Sequence, residues 1–195
     1  MIIYKNFNIK KIHQKSIIAI GNFDGLHLGH QKVLNQAKLK AKKENLKFGL
    51  ITFEPIPTMF FNKNIRYHRI NLIDQKIYYL KKINLDFLII IKFNRLFSNM
   101  SAGNFIKKKL IKKLKSKYIF VSRNFRFGKK RTGDVNTLKK LEKKYSYKTI
   151  VTIPFQKNKK IISSSLIRTS IAAGNVYDAQ RYLGRPWSIK GEGIR

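Results

Sequence analysis

The sequence predicts an α/β fold in which a parallel β-sheet is covered by helices on both faces. Apolar runs of strand length alternate along the chain with amphipathic stretches of helix length, and this alternation is typical of sheets built from strand–helix–strand units. The chain has 195 residues, of which 43% are hydrophobic. That composition is enough for one domain with a buried core.

Each element is predicted from its local pattern. Short runs rich in β-branched and aromatic residues predict strands at 16–20, 48–53, 87–93, 118–121 and 148–153. Apolar residues at helical spacing predict helices at 31–44, 74–82, 104–115, 135–145, 165–173 and 176–183. Pro55 and Pro57 end the second strand, and Gly174 separates the last two helices. Ligands of such sheets bind beyond the carboxyl ends of the strands, where the strand order reverses.

Charge and composition bound the class of protein. Lys and Arg number 43 against 9 Asp and Glu, a net charge of +34. This excess indicates an anionic partner such as a nucleotide or a nucleic acid, or a compositional bias toward Lys, Ile, Asn, Phe and Tyr. The lysines are spread over nearly every segment, which favours the compositional bias.

No cysteine is present, which excludes disulfide scaffolds and thiolate metal sites. Residues 1–11 lack a secretory signal, and we expect a cytoplasmic protein.

The segment from Gly21 to His30 has the strongest functional pattern. It reads G-N-F-D-G-L-H-L-G-H, directly after a predicted strand and before a helix. Its glycines allow backbone to approach a ligand closely, and the helix start offers free N–H groups to a phosphate. His27 and His30 share one face of a first helical turn and could donate hydrogen bonds to phosphate oxygens. A metal site with two histidine ligands is the alternative, but it would need a third ligand.

Other phosphate-binding motifs do not match. The chain contains no G-x-G-x-x-G segment. The stretch 128–133 has the glycine spacing of a P-loop, but Asp134 and Val135 stand where Lys and Ser or Thr are needed.

Four segments in order resemble the FMN adenylyltransferase (FAD synthetase) module of bacterial bifunctional riboflavin kinase/FAD synthetases. The first is 21–30, which matches the H-x-G-H signature of nucleotidyltransferases. The others are T-F-E-P-I-P at 52–57, N-F-R-F-G at 124–128 with Arg131 and Gly133-Asp134, and I-S-S-S-L-I-R at 162–168. The resemblance covers about residues 10–187. It implies a Rossmann-like nucleotidyltransferase fold.

The resemblance also implies a reaction. The phosphate of FMN attacks the α-phosphorus of ATP and gives FAD and pyrophosphate, with Mg²⁺ assisting. The metal is expected to be held through the ATP phosphates, and no side chain is assigned as its ligand. Such a transfer requires positioning and charge neutralisation more than a protein nucleophile. The residues expected to carry catalysis are His27, His30 and Arg168. The residues expected to bind ATP are Gly21, Asn22, Phe23, Asp24, Gly25, Gly29, Ser163, Ser164 and Ser165. Asp24 could face the nucleotide or help to place the metal.

The flavin side is expected at the two aromatic and proline-rich segments. The residues expected to bind FMN are Pro55, Pro57, Asn124, Phe125, Phe127 and Arg131. Ordinary core packing is the alternative for each phenylalanine, and ordinary N-capping is the alternative for the serines. The sequence departs from the family at Ile56, where His is frequent, and at Ser122-Arg123, where a Gly-x pair is usual.

The domain boundary is expected after Gly184. Residues 1–184 would form the adenylyltransferase domain, and 185–195 would be the stub of the junction to a riboflavin kinase domain that is missing. We therefore expect no riboflavin phosphorylation by this chain, no membrane association and no specific nucleic-acid partner. Three alternatives stay open: a nucleotidyltransferase with another phosphate-bearing acceptor, a basic nucleic-acid-binding protein, and a decayed remnant.

Overall fold

The computed structural model describes residues 1–62, 64–65, 68–157 and 159–189. Its centre is a six-stranded sheet in the order β1-β4-β3-β2-β5-β6, and every neighbouring pair of strands is parallel. The strands are β1 (Ile2–Tyr4), β2 (Ile17–Ile20), β3 (Phe48–Glu54), β4 (Phe87–Lys92), β5 (Tyr118–Ser122) and β6 (Lys148–Thr152).

The strand order reverses at β2. The chain runs from β2 to β3 and β4 on one side, then crosses to β5 and β6 on the other. The carboxyl ends of β2 and β5 therefore flank a crevice of the kind that binds ligands in open α/β sheets. The loops that leave these ends begin at Gly21, the first residue of the segment 21–30, and at Arg123, directly before the segment 124–128.

Helices cover both faces of the sheet. They are α1 (Leu28–Glu44), α2 (Pro57–Phe61), α3 (Ile73–Lys82), α4 (Arg95–Ser98), α5 (Ala102–Asn104), which continues as a π-helix over Phe105–Lys113, α6 (Val135–Lys140), α7 (Glu142–Tyr145), α8 (Ser164–Ala172) and α9 (Val176–Leu183). Short 3₁₀ turns span Lys11–His13 and Lys129–Arg131. Ahead of α8, β7 (Gln156–Lys157) and β8 (Lys160–Ile161) form a small antiparallel ribbon.

Alternate side chains of each strand enter opposite cores. In β2, Ile18 and Ile20 pack into the cluster that contains Phe105 of the π-helix, whereas Ile17 and Ala19 pack against α1. This alternation follows from the two-residue period of a strand. The strands read as continuous apolar runs because both faces of a parallel sheet are buried.

The predicted fold class is confirmed, and most element positions agree to within a few residues. Two helix predictions were wrong in detail. The helix predicted at 104–115 begins at Ala102 and has π-type hydrogen bonding for most of its length. The helix predicted at 135–145 is interrupted at Leu141. In the described part of the chain, no helix is both long and apolar enough to cross a membrane.

Candidate active site

The segment 21–30 lies where its pattern predicted, between the end of β2 and the first turn of α1. His27 is the N-cap of α1, and its Nδ1 accepts a hydrogen bond from the backbone N–H of His30 at 3.3 Å. Because Nδ1 accepts, the proton of a neutral His27 ring is on Nε2, where it can be donated to a ligand. The two imidazole rings stack with their centroids 3.7 Å apart. The prediction that both histidines share one face is confirmed.

Burial keeps both histidines uncharged at neutral pH. It lowers the pKa of His27 to about 4, and the positive charges of Arg185 and Arg168 lower it further. Burial also lowers the pKa of His30 well below its usual value, and the charges of His27 and Lys76 lower it further. Neutral rings next to an incoming phosphate would become easier to protonate, because a nearby anion favours the charged form.

The serine-rich segment joins this loop. Ser163 is the N-cap of α8, and its Oγ accepts from the N–H of Leu166 at 3.2 Å. Ser164 Oγ donates to the backbone carbonyl of Asp24 at 2.9 Å. Arg168 Nη1 donates to Asp24 Oδ2, also at 2.9 Å. Arg168 is on the second turn of α8 and not on its first, since α8 begins at Ser164.

Asp24 is engaged within the protein. Its side chain is buried, with Oδ1 accepting from the N–H of Ile70 at 3.0 Å and Oδ2 paired with Arg168. This carboxylate therefore fixes the arginine, 144 positions away in sequence, against the loop of residues 21–27 between β2 and α1, which we call the nucleotide loop after its expected ligand.

A cavity of about 540 Å³ opens at the crevice between β2 and β5. This volume is in the usual range for a site that holds a small ligand. Its lining residues include five of those expected to bind ATP or to carry catalysis: Gly21, Asn22, Phe23, His30 and Ser164. They also include Pro57, Phe61, Phe93, Phe97, Asn124, Phe125, Arg126, Phe127, Gly128, Lys130 and Arg131.

The cavity unites the two groups of residues that the resemblance assigned to different substrates. His30 and Ser164 line it together with the aromatic segment, in which Phe125 and Phe127 stack with centroids 5.3 Å apart. Phe127 is also part of a core cluster, so for this residue packing and cavity lining are not exclusive.

Several predicted site residues lie outside the cavity wall. They are His27, Asp24, Gly25, Gly29, Pro55, Ser163, Ser165 and Arg168. His27 adjoins the cavity through the stacked His30 ring. Arg168 is paired with Asp24, whose backbone carbonyl accepts a hydrogen bond from Ser164 of the cavity wall. Gly29 is close to the serine segment, since a Cβ at this position would lie 3.3 Å from the carbonyl oxygen of Ile162.

A second set of charged residues was not predicted to act here. Lys76 of α3 is buried, and its Nζ donates to the Asn22 carbonyl at 2.9 Å. Arg69 forms an ion pair with Glu54 at the end of β3. Lys76 and Asn22 are 54 positions apart in the sequence, so no local sequence pattern could have predicted their contact.

Arg185 was expected to lie outside the domain, but it contacts the nucleotide loop. Its Nη2 donates to the Gly25 carbonyl at 2.6 Å and to Asn71 Oδ1 at 3.0 Å. Its guanidinium lies 3.8 Å from the centre of the Tyr79 ring. Nearby, Trp187 donates from Nε1 to the Ile70 carbonyl.

Among the described residues, no group of three or more His, Cys, Asp and Glu side chains is arranged to hold a metal ion. The carboxylates nearest the nucleotide loop, Asp24 and Glu54, are each paired with an arginine.

Sequence comparison gives the chain a family. The sequence model of FAD synthetase matches residues 9–166. The bifunctional riboflavin kinase/FMN adenylyltransferase of Buchnera aphidicola (subspecies Schizaphis graminum) is 43% identical over 188 residues, which cover 96% of this chain and 60% of that protein. The protein of the same name from Escherichia coli K12 is 34% identical, with coverage of 90% and 56%. The chain thus spans less than two thirds of the length of these relatives.

Structural comparison agrees. A crystal structure described as a macrolide-efflux protein from Streptococcus pneumoniae superposes with a TM-score of 0.81 at 28% identity, over 95% of this chain and 60% of that one. A pantoate-beta-alanine ligase from Francisella tularensis, at 20% identity and a TM-score of 0.57, shares the fold. Because the family match extends over most of the chain and includes all four motif segments at least in part, this chain belongs to the FAD synthetase family.

Proposed function

We propose that this chain transfers the adenylyl group of ATP to FMN and releases FAD and pyrophosphate. The observation that carries the proposal is the shared cavity, in which His30 and Ser164 face the same space as Phe125 and Arg131. A phosphate-binding side and an aromatic side therefore meet in one site, as the joining of a nucleotide to a flavin requires.

In the proposed reaction, an oxygen of the FMN phosphate attacks the α-phosphorus of ATP. The bond from that phosphorus to the oxygen bridging the β-phosphate breaks, and pyrophosphate leaves. His27 can donate from Nε2 to a phosphate oxygen, and the free N–H groups at the start of α8 suit the remaining phosphates. These contacts orient the reactants and stabilise the developing charge, which is the main requirement of phosphoryl and nucleotidyl transfer.

FMN is proposed to bind at the aromatic side. Phe125 is only partly buried, so one face of this ring is available to stack on an isoalloxazine ring. Arg126, Lys130 and Arg131 border the same space and could receive the phosphate of FMN. Mg²⁺ would enter with the ATP phosphates, because this ion is usually bound through substrate phosphates and retained waters rather than by a dedicated protein cage.

The test is direct product analysis. The full chain is incubated with ATP, Mg²⁺ and FMN, and FAD and pyrophosphate are quantified by chromatography. Riboflavin with ATP serves as a parallel reaction, and other phosphate-bearing acceptors are tested with ATP and with CTP. A folded chain that makes no FAD, or that prefers another acceptor, would contradict the proposal.

A pair of histidine variants locates the activity. His30→Gln is expected to abolish FAD formation. The control is His13→Gln, another buried histidine, which stacks on Phe87 at the opposite ends of the strands. Equal loss in both variants would indicate general destabilisation rather than a role of His30 in the cavity.

A further inference from the structure

Lys76 is a buried lysine directly behind the nucleotide loop. Only 3% of its surface is exposed, and burial of an ammonium group is costly unless it is paired. Its Nζ donates to the carbonyl of Asn22 at 2.9 Å, and the same carbonyl accepts from Thr52 Oγ1 at 2.9 Å. Because Asn22 lines the cavity, Lys76 is separated from a bound ligand by a single stretch of backbone.

The charges around Lys76 come from several elements. The carboxylates of Asp24, in the nucleotide loop, and Glu54, at the end of β3, oppose the lowering of the Lys76 pKa by burial, and Arg69 adds to that lowering. Lys76 in turn disfavours protonation of His30 on α1. Lys76 is therefore within electrostatic range of both carboxylates, while its Nζ contacts the Asn22 carbonyl.

The charges of these side chains sum to one net positive charge, that of Lys76. Asp24 is paired with Arg168 and Glu54 with Arg69, so each of these pairs is neutral. Within this group of five side chains, the ammonium of Lys76 is the charge that the pairs do not cancel. It is held in a low-dielectric interior, where its field is screened much less than that of a surface lysine.

We propose that Lys76 is a positioning residue for nucleotide binding: its buried ammonium fixes the Asn22 carbonyl and supplies a positive charge behind the loop that receives the phosphates. This inference rests on the proposed adenylyl transfer. It gives a role to a lysine at a buried position of α3, where an apolar residue would cost less to bury.

Two substitutions separate charge from shape. Lys76→Met keeps the length of the side chain and removes both the charge and the hydrogen bond. Lys76→Gln keeps a donor but removes the charge. Lys81→Met is the matched control, because Lys81 is exposed on the same helix and its loss changes the net charge equally. For each variant, the kcat and KM for ATP, the affinity for ATP by calorimetry and the thermal unfolding midpoint are measured.

Lys76→Met is expected to lose about 10- to 100-fold in kcat/KM for ATP and in ATP affinity, the range expected when a hydrogen bond to a charged group is removed. Lys76→Gln, which keeps a donor, is expected to lose about 10-fold in both because the positive charge behind the loop is gone. Lys81→Met is expected to behave like the unmodified chain. The proposal is overturned if the folded Lys76→Met matches the control, or if Lys76→Gln does, since the charge would then be dispensable.

Failure to fold is also decisive. If neither Lys76 variant folds, or if activity falls only in proportion to the unfolded fraction, Lys76 serves stability and the proposal is overturned. A failure of the proposed function is distinguished by the unmodified chain, which would then form no FAD. In that case the ATP affinities of the same variants still decide the role of Lys76.

Discussion

The ion pair between Asp24 and Arg168 connects the loop after β2 to α8, and its removal tests the architecture of the candidate site. Asp24→Asn keeps the size of the side chain and one acceptor oxygen for the N–H of Ile70, but it removes the charge. Arg168, held at 2.9 Å in the folded protein, would then be left without its carboxylate.

The expected cost follows from burial. Removing one partner of a buried pair typically costs about 3–5 kcal/mol. The Asp24 side chain is 5% exposed but that of Arg168 is 26% exposed, so water can partly replace the lost partner. We therefore expect the lower end, about 3 kcal/mol. For a chain of this size, that loss corresponds to a fall of about 6–12 °C in the unfolding midpoint.

Calorimetry and urea denaturation measure this change. Asp74→Asn is the control, because Asp74 is exposed and its substitution raises the net charge by the same amount. The double variant Asp24→Asn/Arg168→Gln should be less destabilised than the sum of its single variants, which reveals the coupling. An Asp24→Asn protein within about 1 kcal/mol of the Asp74→Asn control would refute the reasoning.

Three further predictions follow from the same structure. Burial lowers the pKa of His27 from 6.5 to about 4 in the folded protein, and it lowers the pKa of His30 well below 6.5. Below pH 6.5 the unfolded chain therefore binds more protons than the folded chain. The free energy of unfolding should be greatest above pH 6.5 and fall by up to about 1.4 kcal/mol per pH unit for each histidine as the pH is lowered toward about 4. Urea titrations at pH 7 and 5 measure this loss, and an unchanged slope in His27→Gln would contradict it. Phe125→Ala should raise the KM for FMN about 10-fold through lost stacking and leave the KM for ATP unchanged; steady-state kinetics that show both rising equally would contradict a flavin role. Gly49→Ala should destabilise the fold by about 1–3 kcal/mol, because the new Cβ would lie 2.2 Å from the buried ring of Phe87. Urea denaturation measures this loss, and an unfolding midpoint equal to that of the unmodified chain would contradict the prediction.

The four inner strands could be predicted from the sequence because they are nearly continuous apolar runs, a direct result of burial on both faces. The edge strand β6 is less buried, but its β-branched residues still indicate a strand. The exception is β1, which has only three residues and lies at the sheet edge with Ile2 and Ile3 exposed. Its pattern does not distinguish it from a loop.

The sequence predicts those features of the candidate site that depend on residues close together in the chain. The stacked pair of histidines follows from their spacing on a helix start, and the cavity does contain both motif groups. The partners of Asp24 could not be predicted, because Arg168 and Ile70 meet it only through the packing of α8 and the segment before α3. The same applies to Lys76, whose spacing on α3 suggests nothing beyond an amphipathic helix.

The contacts of Arg185 have a practical consequence for fragment design. A fragment cut at Gly184, where the last helix ends, would look complete by its secondary structure. It would nevertheless lack the guanidinium that holds the carbonyls of Gly25 and Leu26 and the indole anchored at Ile70. Expression vectors and reporter fusions should therefore place their junction beyond Ser188, whose backbone still accepts a hydrogen bond from Gln75.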